Sequence, residues 1–317
     1  MQLTKEEPGL GYDIIGDIHG QAGKLEALLN SLGYVRRGLV WVPPSGRQAI
    51  FLGDFIDRGP EQVRVVDIVR NMTDAGHARA VMGNHEFNAI GYATPRDDAP
   101  GEFLRRHSRS HTAQHAEFLR QVGAGSPLHR EFLCWFRSLP PALDLGAIRV
   151  VHAWWHQPHV DLVAARIAPG RPMDDAFLRA AFARGSPEWD AMEGLTKGLE
   201  IPLPPGHAFL DRGGVERRHV RTRWWWCGEA RSYRDIAIVD DDQSHHVPDQ
   251  PVPDSFAPRP VAGPPVFVGH YWLTGTPTPQ TPRVACLDYS AAKDGPLVAY
   301  RWDGEETLDA RNFMAAG

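Results

Sequence analysis

The chain has 317 residues, enough for one large domain or two modest ones with a substantial core. With 42% hydrophobic and 23% charged residues and a formal net charge of −5, it lacks the basic footprint of a general nucleic-acid binder. No apolar run nears the roughly 20 residues that cross a bilayer. Residues 1–13 have neither the basic start nor the apolar core of a secretory leader, and Cys134, Cys227 and Cys286 lie far apart, outside any zinc-motif spacing, a combination that predicts a reducing cytoplasm.

In chain order, Tyr12–Gly16 predicts a strand, and Lys24–Leu32 a helix through Leu25, Leu28, Leu29 and Leu32. Val35–Val42 and Gln48–Leu52 flank PPSG as the arms of a hairpin or loop. Val63–Val69 reads as a helix and Ala78–Met82 as a strand. Residues 88–140 are polar and rich in His and Arg, with helices at Glu117–Val122 and His129–Leu139. His107, His111 and His115 recur at a spacing of four, which predicts one solvated helix face rather than a metal site.

Further strands are expected at Ile148–Val151, Ala237–Val239, Val266–Val268, Val284–Leu287 and Leu297–Tyr300, and helices at 159–168 and 174–199. Trp224–Trp226, on a strand, would alternate faces, so that at least one enters a core and another is left to stack on a base or line a cleft. Residues 241–265 hold seven prolines, which predicts an extended surface loop. Candidate metal ligands lie on both sides of it, so it is not read as a domain boundary.

Five phrases carry the chemistry: GDIHG at 16–20, GDFIDRG at 53–59, GNHE at 83–86, HAWW at 152–155 and VGHYW at 268–272. Each follows an apolar, strand-like run, at the strand end where α/β proteins gather ligand sites. Turn chemistry explains the glycines, but not the accompanying Asp, Asn and His. Asp17, His19 and Asp54 would hold one divalent ion. Asp54, which has two oxygens and can bridge, would hold a second with Asn84, His152 and His270. Mixed oxygen and imidazole ligands suit manganese, iron or zinc better than calcium. Two such ions generate a nucleophilic hydroxide from water and neutralise phosphate charge.

These motifs, in this order, make the chain resemble the phosphoprotein phosphatase branch of the calcineurin-like metallophosphoesterases, from about Tyr12 to Trp302. The resemblance implies an α/β sandwich of two mixed β-sheets with helices outside, where periodicity alone gives only α/β. It implies one domain over 1–317, with rim insertions around 88–140 and 155–235. The same six ligands carry over, with manganese the first expectation among the metals. His85 falls on the family's general acid, Asp57 on the carboxylate that orients it, and Arg58 on a phosphate-binding Arg, with Asn84 beside the phosphate. A second phosphate-binding Arg falls on Arg221 or Arg223. Asp288 in CLDYS resembles the Asp of a CxDTG phrase in bacterial relatives, and the insert near 34–48 resembles bacterial dinucleoside tetraphosphatases.

HAWW departs from the small residues usual after the fourth-motif His, which places Trp154 and Trp155 as a wall or stacking surface. The expected activity is phosphoester hydrolysis by a metal-bridging hydroxide. Its substrates would be phosphomonoesters or dinucleoside polyphosphates, with a phosphoprotein as the alternative and no membrane partner. An inactive scaffold on this fold would show a degraded ligand set, and this chain keeps every ligand. The Arg and Trp mixture at 217–226 is the one feature that points to single-stranded nucleic acid.

Overall fold

A computed structural model describes residues 10–168, 170–210, 214–228, 232–239, 241–256 and 258–317. The chain divides into two compact units, 1–197 with 264–317, and 198–263. In sequence, the second unit is inserted in the first.

The first unit runs β1 (Gly11–Ile15), α1 (Ala22–Ser31), β2 (Val35–Arg37), β3 (Val40–Val42), β4 (Arg47–Phe51), α2 (Gln62–Asp74), β5 (Ala78–Ala80) and α3 (Asn84–Ala93). It continues through α4 (Arg109–Val122), α5 (Pro127–Ser138), β6 (Ala142–Asp144), β7 (Arg149–Val151), α6 (Gln157–Arg166), α7 (Asp175–Phe182) and α8 (Pro187–Lys197). The second unit holds β8 (Glu200–Pro202), β9 (Phe209–Leu210), β10 (Glu216–Arg217), β11 (His219–Arg221) and α9 (Tyr233–Ile236). The chain then returns to the first unit with β12 (Val266–Val268), β13 (Val284–Cys286), β14 (Leu297–Trp302) and β15 (Phe313–Ala316).

Two mixed sheets form the sandwich. One has the order β15-β14-β1-β4-β5, the other β13-β12-β7-β6. In the first, β1, β4 and β5 are parallel neighbours and β14 is antiparallel to β1. In the second, β12 is parallel to both β13 and β7. Alternation along the strands sends Ile14, Ile50, Val298 and Tyr300 of one sheet against Val150, Phe267 and Ala285 of the other in one buried cluster. Burying each large side chain there contributes about 1.5–3 kcal/mol. On the opposite face of β1, the buried Asp13 accepts hydrogen bonds from Tyr34 Oη (3.1 Å), Arg47 Nη2 (3.0 Å) and Arg301 Nε (2.9 Å). A buried carboxylate needs such partners.

Several elements differ from expectation for local reasons. Val35–Val42 is not one strand but the hairpin β2–β3, because Gly38 takes φ 64 and turns the chain. The helix expected over 174–199 breaks into α7 and α8 at Gly185 (φ 87), and Ser186 Oγ then accepts the Trp189 N–H to start α8. Residue 107 lies outside α4, which Ser108 caps by accepting from His111 N. In the second unit, Ser232 and Asp235 form a capping box that starts α9, so Ala237–Val239 is no strand; Ala237 makes only a bridge to Thr222. Trp224 and Trp225 sit in a turn, both buried, and do not alternate. The proline-rich stretch opens with a 3-10 turn over Asp241–His246, and its Val247 and Val252 are buried with Ile201, Val220 and Ile236 in that unit's own core, so it is not wholly a surface loop.

Candidate metal centre

Seven non-glycine residues among those described have φ in the left-handed region: His19, Asp54, Asp57, Arg58, His270, Trp272 and Ser290. All sit in loops that follow β1, β4, β12 or β13. Such backbone strain persists only where the surroundings hold it, and it clusters at functional sites. The holding groups are visible here. Glu86 Oε2 accepts from Asp54 N (2.8 Å) and Gly83 N (3.0 Å), and its Oε1 from Phe55 N (2.8 Å). The loop after β1 is tied to the loop after β4 through His19 N to Asp54 O at 2.8 Å. Asp288 accepts from Trp272 N (2.9 Å) and Ser290 N (3.0 Å).

These loops bring Asp17, His19, Asp54, Asn84, His85, His152 and His270 together, none more than 8% exposed. Two glycines allow the close approach. A Cβ on Gly269 would stand 1.9 Å from Asp17 Oδ1, and one on Gly83 would stand 2.2 Å from Asp54 Oδ1. Ligand atoms of Asp54, His152 and His270 lie within 4.8 Å of one another, and so do those of His19, Asp54 and His85. Asn84 Oδ1 lies beside the Asp54, His152 and His270 group, 2.8 Å from His270 Nδ1. In the other group, His85 joins His19 and Asp54. Asp17 stands outside both close groups, with Oδ2 accepting from His270 N at 3.0 Å.

The donor set fits a cation. His152 Nδ1 donates to Leu52 O at 2.7 Å, and His19 Nδ1 to Ile56 O at 2.9 Å. Each bond fixes the tautomer whose Nε2 lone pair faces inward. His152 Nε2 then lies 3.2 Å from Asn84 Oδ1 and 3.4 Å from Asp54 Oδ2, three acceptors converging. Among the described residues, Asp17 Oδ1 and His19 Nε2 are buried without a hydrogen-bond partner. Burial, helped by the neighbouring His85, lowers the His19 imidazole to about 3, so it stays neutral and able to ligate. Burial would also depress His152, but the Asp54 and Asp17 charges outweigh it and raise that ring to about 10.

His85 is held differently. Its Nδ1 lies 2.5 Å from Asp57 Oδ2, and its Nε2 lies 3.9 Å from Asp54 Oδ2. Burial opposes its charge, but the Asp54 carboxylate and the Asp57 hydrogen bond raise the ring above its ordinary value. Arg58 stacks its guanidinium 3.8 Å from the Trp272 ring centre. Arg58, Trp272, Lys293, His19, Asp288 and Ser290 line one pocket.

The family model for calcineurin-like phosphoesterases matches residues 12–190, more than half of the chain. The chain belongs to that family. Within it, a 74-residue stretch is 45% identical to the asymmetrical bis(5'-nucleosyl)-tetraphosphatase PrpE of Anoxybacillus flavithermus, covering 23% of this chain and 30% of that protein. The Bacillus subtilis PrpE is 42% identical over 76 residues, 24% of this chain and 31% of its own. The chain therefore spans under a third of the length of these curated relatives. A protein serine/threonine phosphatase from Saccharomyces cerevisiae superposes with a TM-score of 0.50 at 14% identity, over 98% of this chain and 80% of that one, a likeness of fold.

In this calcineurin-like phosphoesterase the remaining candidate residues have surroundings of their own. Arg221 and Arg223 belong to the second unit, where Arg221 lies 3.6 Å from Glu200 and Arg223 is exposed. Trp155 is buried and Trp154 stacks on His156 with centroids 4.4 Å apart. Glu86, inside the GNHE phrase, was read without a role, yet its carboxylate is what fixes the Asp54 turn. His115, expected on a solvated face, is 5% exposed, and its Nδ1 lies 2.8 Å from Asp57 Oδ1. A charged or polar residue at the inner position of an amphipathic helix is the one signal that could have marked it.

Proposed function

We propose that this protein is a binuclear-metal phosphoester hydrolase acting on phosphomonoesters or dinucleoside polyphosphates. The observation that carries the reading is the convergence of Asp54 Oδ2, Asn84 Oδ1 and His152 Nε2 in one buried site. Asp17, His19 and His270 complete the donor set, whose mixture of oxygen and imidazole favours manganese, with iron or zinc as alternatives. Bound there, two divalent ions would supply a nucleophile from water near neutral pH and Lewis-acid stabilisation of phosphoryl oxygens.

The chain's own residues do the rest. Arg58, braced against Trp272, offers its planar fork to two non-bridging phosphate oxygens. Asn84 Nδ2 offers a further donor there. His85 transfers the Nε2 proton to the leaving oxygen as the P–O bond breaks, while Asp57 keeps the ring aimed through Nδ1.

Polyphosphates are favoured over phosphoproteins by Lys293. It lines the same pocket as Arg58, with Nζ 5.4 Å from the Trp272 ring, so a second phosphate would meet a second cation. The relatives named as tetraphosphatases support the same choice. Cys134 and Cys227 are exposed free thiols, which supports a reducing compartment such as the cytoplasm. No helix among the described residues is long and apolar enough to cross a membrane. The test is manganese-dependent turnover of diadenosine tetraphosphate beside a phosphoserine peptide. A higher kcat/KM for the dinucleotide is expected; preference for the peptide would assign a protein phosphatase, and no turnover of either with two ions bound would assign a scaffold.

A further inference from the structure

We infer that His115 of α4 is a positioning residue for the proton donor, holding the Asp57 carboxylate whose other oxygen holds His85. The inference rests on the hydrolase reading for its kinetic consequence, and on geometry alone for its structural one. One carboxylate serves two imidazoles: His115 Nδ1 lies 2.8 Å from Asp57 Oδ1, and His85 Nδ1 lies 2.5 Å from Asp57 Oδ2. A carboxylate has no hydrogen to give, so both rings must present Nδ1–H to it. The backbone of Asp57 is already fixed, with φ 67 and its N–H donating to Gln62 Oε1 at 2.5 Å. What stays adjustable is the rotation of the carboxylate, and His115 removes that freedom.

Without His115, Asp57 Oδ1 would be a buried charged acceptor with no donor. Such an oxygen turns toward any available partner, and turning it draws Oδ2 away from His85. The His115 ring is in turn wedged between Tyr92 and Phe118, with centroids at 5.3 and 5.0 Å. The preceding residue, Gln114, can meet the same ring of His85 from its other side once Nε2 has given up its proton, because its amide nitrogen only donates. The Gln114 side-chain amide lies 3.5 Å from His85 Nε2, and its Oε1 accepts from Arg105 Nη2 at 3.2 Å. Two consecutive residues of α4 thus address both nitrogens of His85, Gln114 directly and His115 through Asp57. None of the five strand-end motifs includes α4. The helix thus stiffens the proton donor from outside its own segment, where the His85 N–H already donates to Asp54 Oδ1 at 2.9 Å.

The experiment compares His115→Phe, which keeps a ring without a donor, with His115→Asn, whose side-chain N–H can occupy the place of Nδ1–H. Manganese-loaded enzyme is assayed on phenyl phosphate, whose leaving group needs a proton, and on p-nitrophenyl phosphate, whose leaving group does not. His115→Phe is expected to lose about 10–100-fold in kcat on phenyl phosphate, the size of effect typical of an orienting partner. It should lose little on p-nitrophenyl phosphate, with KM and bound metal unchanged, and His115→Asn should restore most of the loss. In parallel, nitrogen-15 spectra of wild type should show two hydrogen-bonded Nδ1 protons, from His85 and His115. His115→Phe should lose one and shift the other. Equal losses on both esters, failure of His115→Asn to rescue, or an unmoved His85 proton would each overturn the inference. If the wild type hydrolyses neither ester, the hydrolase reading fails while the spectra still decide this one. If His115→Phe does not fold, a wild-type spectrum without the second proton overturns it.

Discussion

The floor of the centre and its rim use the same side chain in opposite ways. On the floor, His19 and His152 each spend Nδ1 on a backbone carbonyl, Ile56 O and Leu52 O. On the rim, His85 and His115 each spend Nδ1 on one carboxylate, Asp57. A carbonyl fixes the tautomer without adding charge, and leaves a lone pair aimed inward for a metal. At His85 the Asp54 and Asp57 carboxylates favour the protonated ring, which suits it to give a proton away. Asp57 itself is held at about 2 although burial would raise it, because the hydrogen bonds from His115 and His85 prevail. The carbonyl partner of His19 and the carboxylate partner of His85 thus leave one ring neutral and favour the charged form of the other, in keeping with the proposed roles of ligand and acid.

The floor breaks hardest. Asp54 is shared by both close groups, with Oδ2 3.4 Å from His152 Nε2 and 3.6 Å from His19 Nε2. Asp54→Asn is expected to cut turnover by roughly three orders of magnitude, in the range of losses when a principal electrostatic group is removed. Bound manganese should fall below two per chain by elemental analysis. Retention of both ions and of activity would mean that Asp54 is no bridge. Breaking the rim should be milder and selective. His85→Asn removes a proton donor, a contribution of about 10²–10⁴-fold. The loss should appear with phenyl phosphate and largely vanish with p-nitrophenyl phosphate. Equal losses would move His85 to the floor, beside His19 and Asp54, where it also lies within reach of an ion.

That difference also decides what could be read from sequence. The floor was legible because each candidate ligand sits within a few residues of a strand end, in a phrase that joins glycine to a carboxylate, an amide or an imidazole. Asp17 and His19, or Asn84 and His85, need only their own turn to be placed. The rim was legible only to Asp57 and His85. His115 sits 58 residues from Asp57, and a spacing of four identifies a helix face without saying whether that face is wet. The hairpin β2–β3 and the break at Gly185 were missed because a single glycine overrode an apolar pattern that ran through it. Trp224 and Trp225 are both buried, where a core place is expected for at least one, but they do not alternate because the chain turns there instead of running as a strand. Sheet order and the pairing of β12 between β7 and β13 depend on contacts that no local pattern contains.

A third class of histidine sharpens the comparison. His156 and His159 have buried Nδ1 atoms with neither a carbonyl nor a carboxylate as partner among the described residues. His159 stacks edge-on against His156 with centroids 4.2 Å apart, and the ring lies so close to Gly194 that a Cβ there would stand 2.6 Å from its Nδ1. Burial, with His156 beside it, lowers His159 to about 4. The folded ring is therefore neutral where the unfolded one, near 6.5, takes up a proton. Stability from this group is full above about pH 6.5 and is lost as pH falls from there toward about 4, since the unfolded state binds more protons across that window. The ring is partly open to solvent, so screening reduces the effect to about 1 kcal/mol. Urea midpoints at pH 7.5 and 5.0 measure it. Wild type should lose more stability than His159→Gln between the two pH values, and the difference isolates this ring from the carboxylates and ligands that titrate in both proteins. An equal loss would mean that His159 takes its proton in the folded state as readily as in the unfolded one. An imidazole left with neither kind of partner would then not be forced to stay neutral, and the comparison with His19 and His85 would lose its third case.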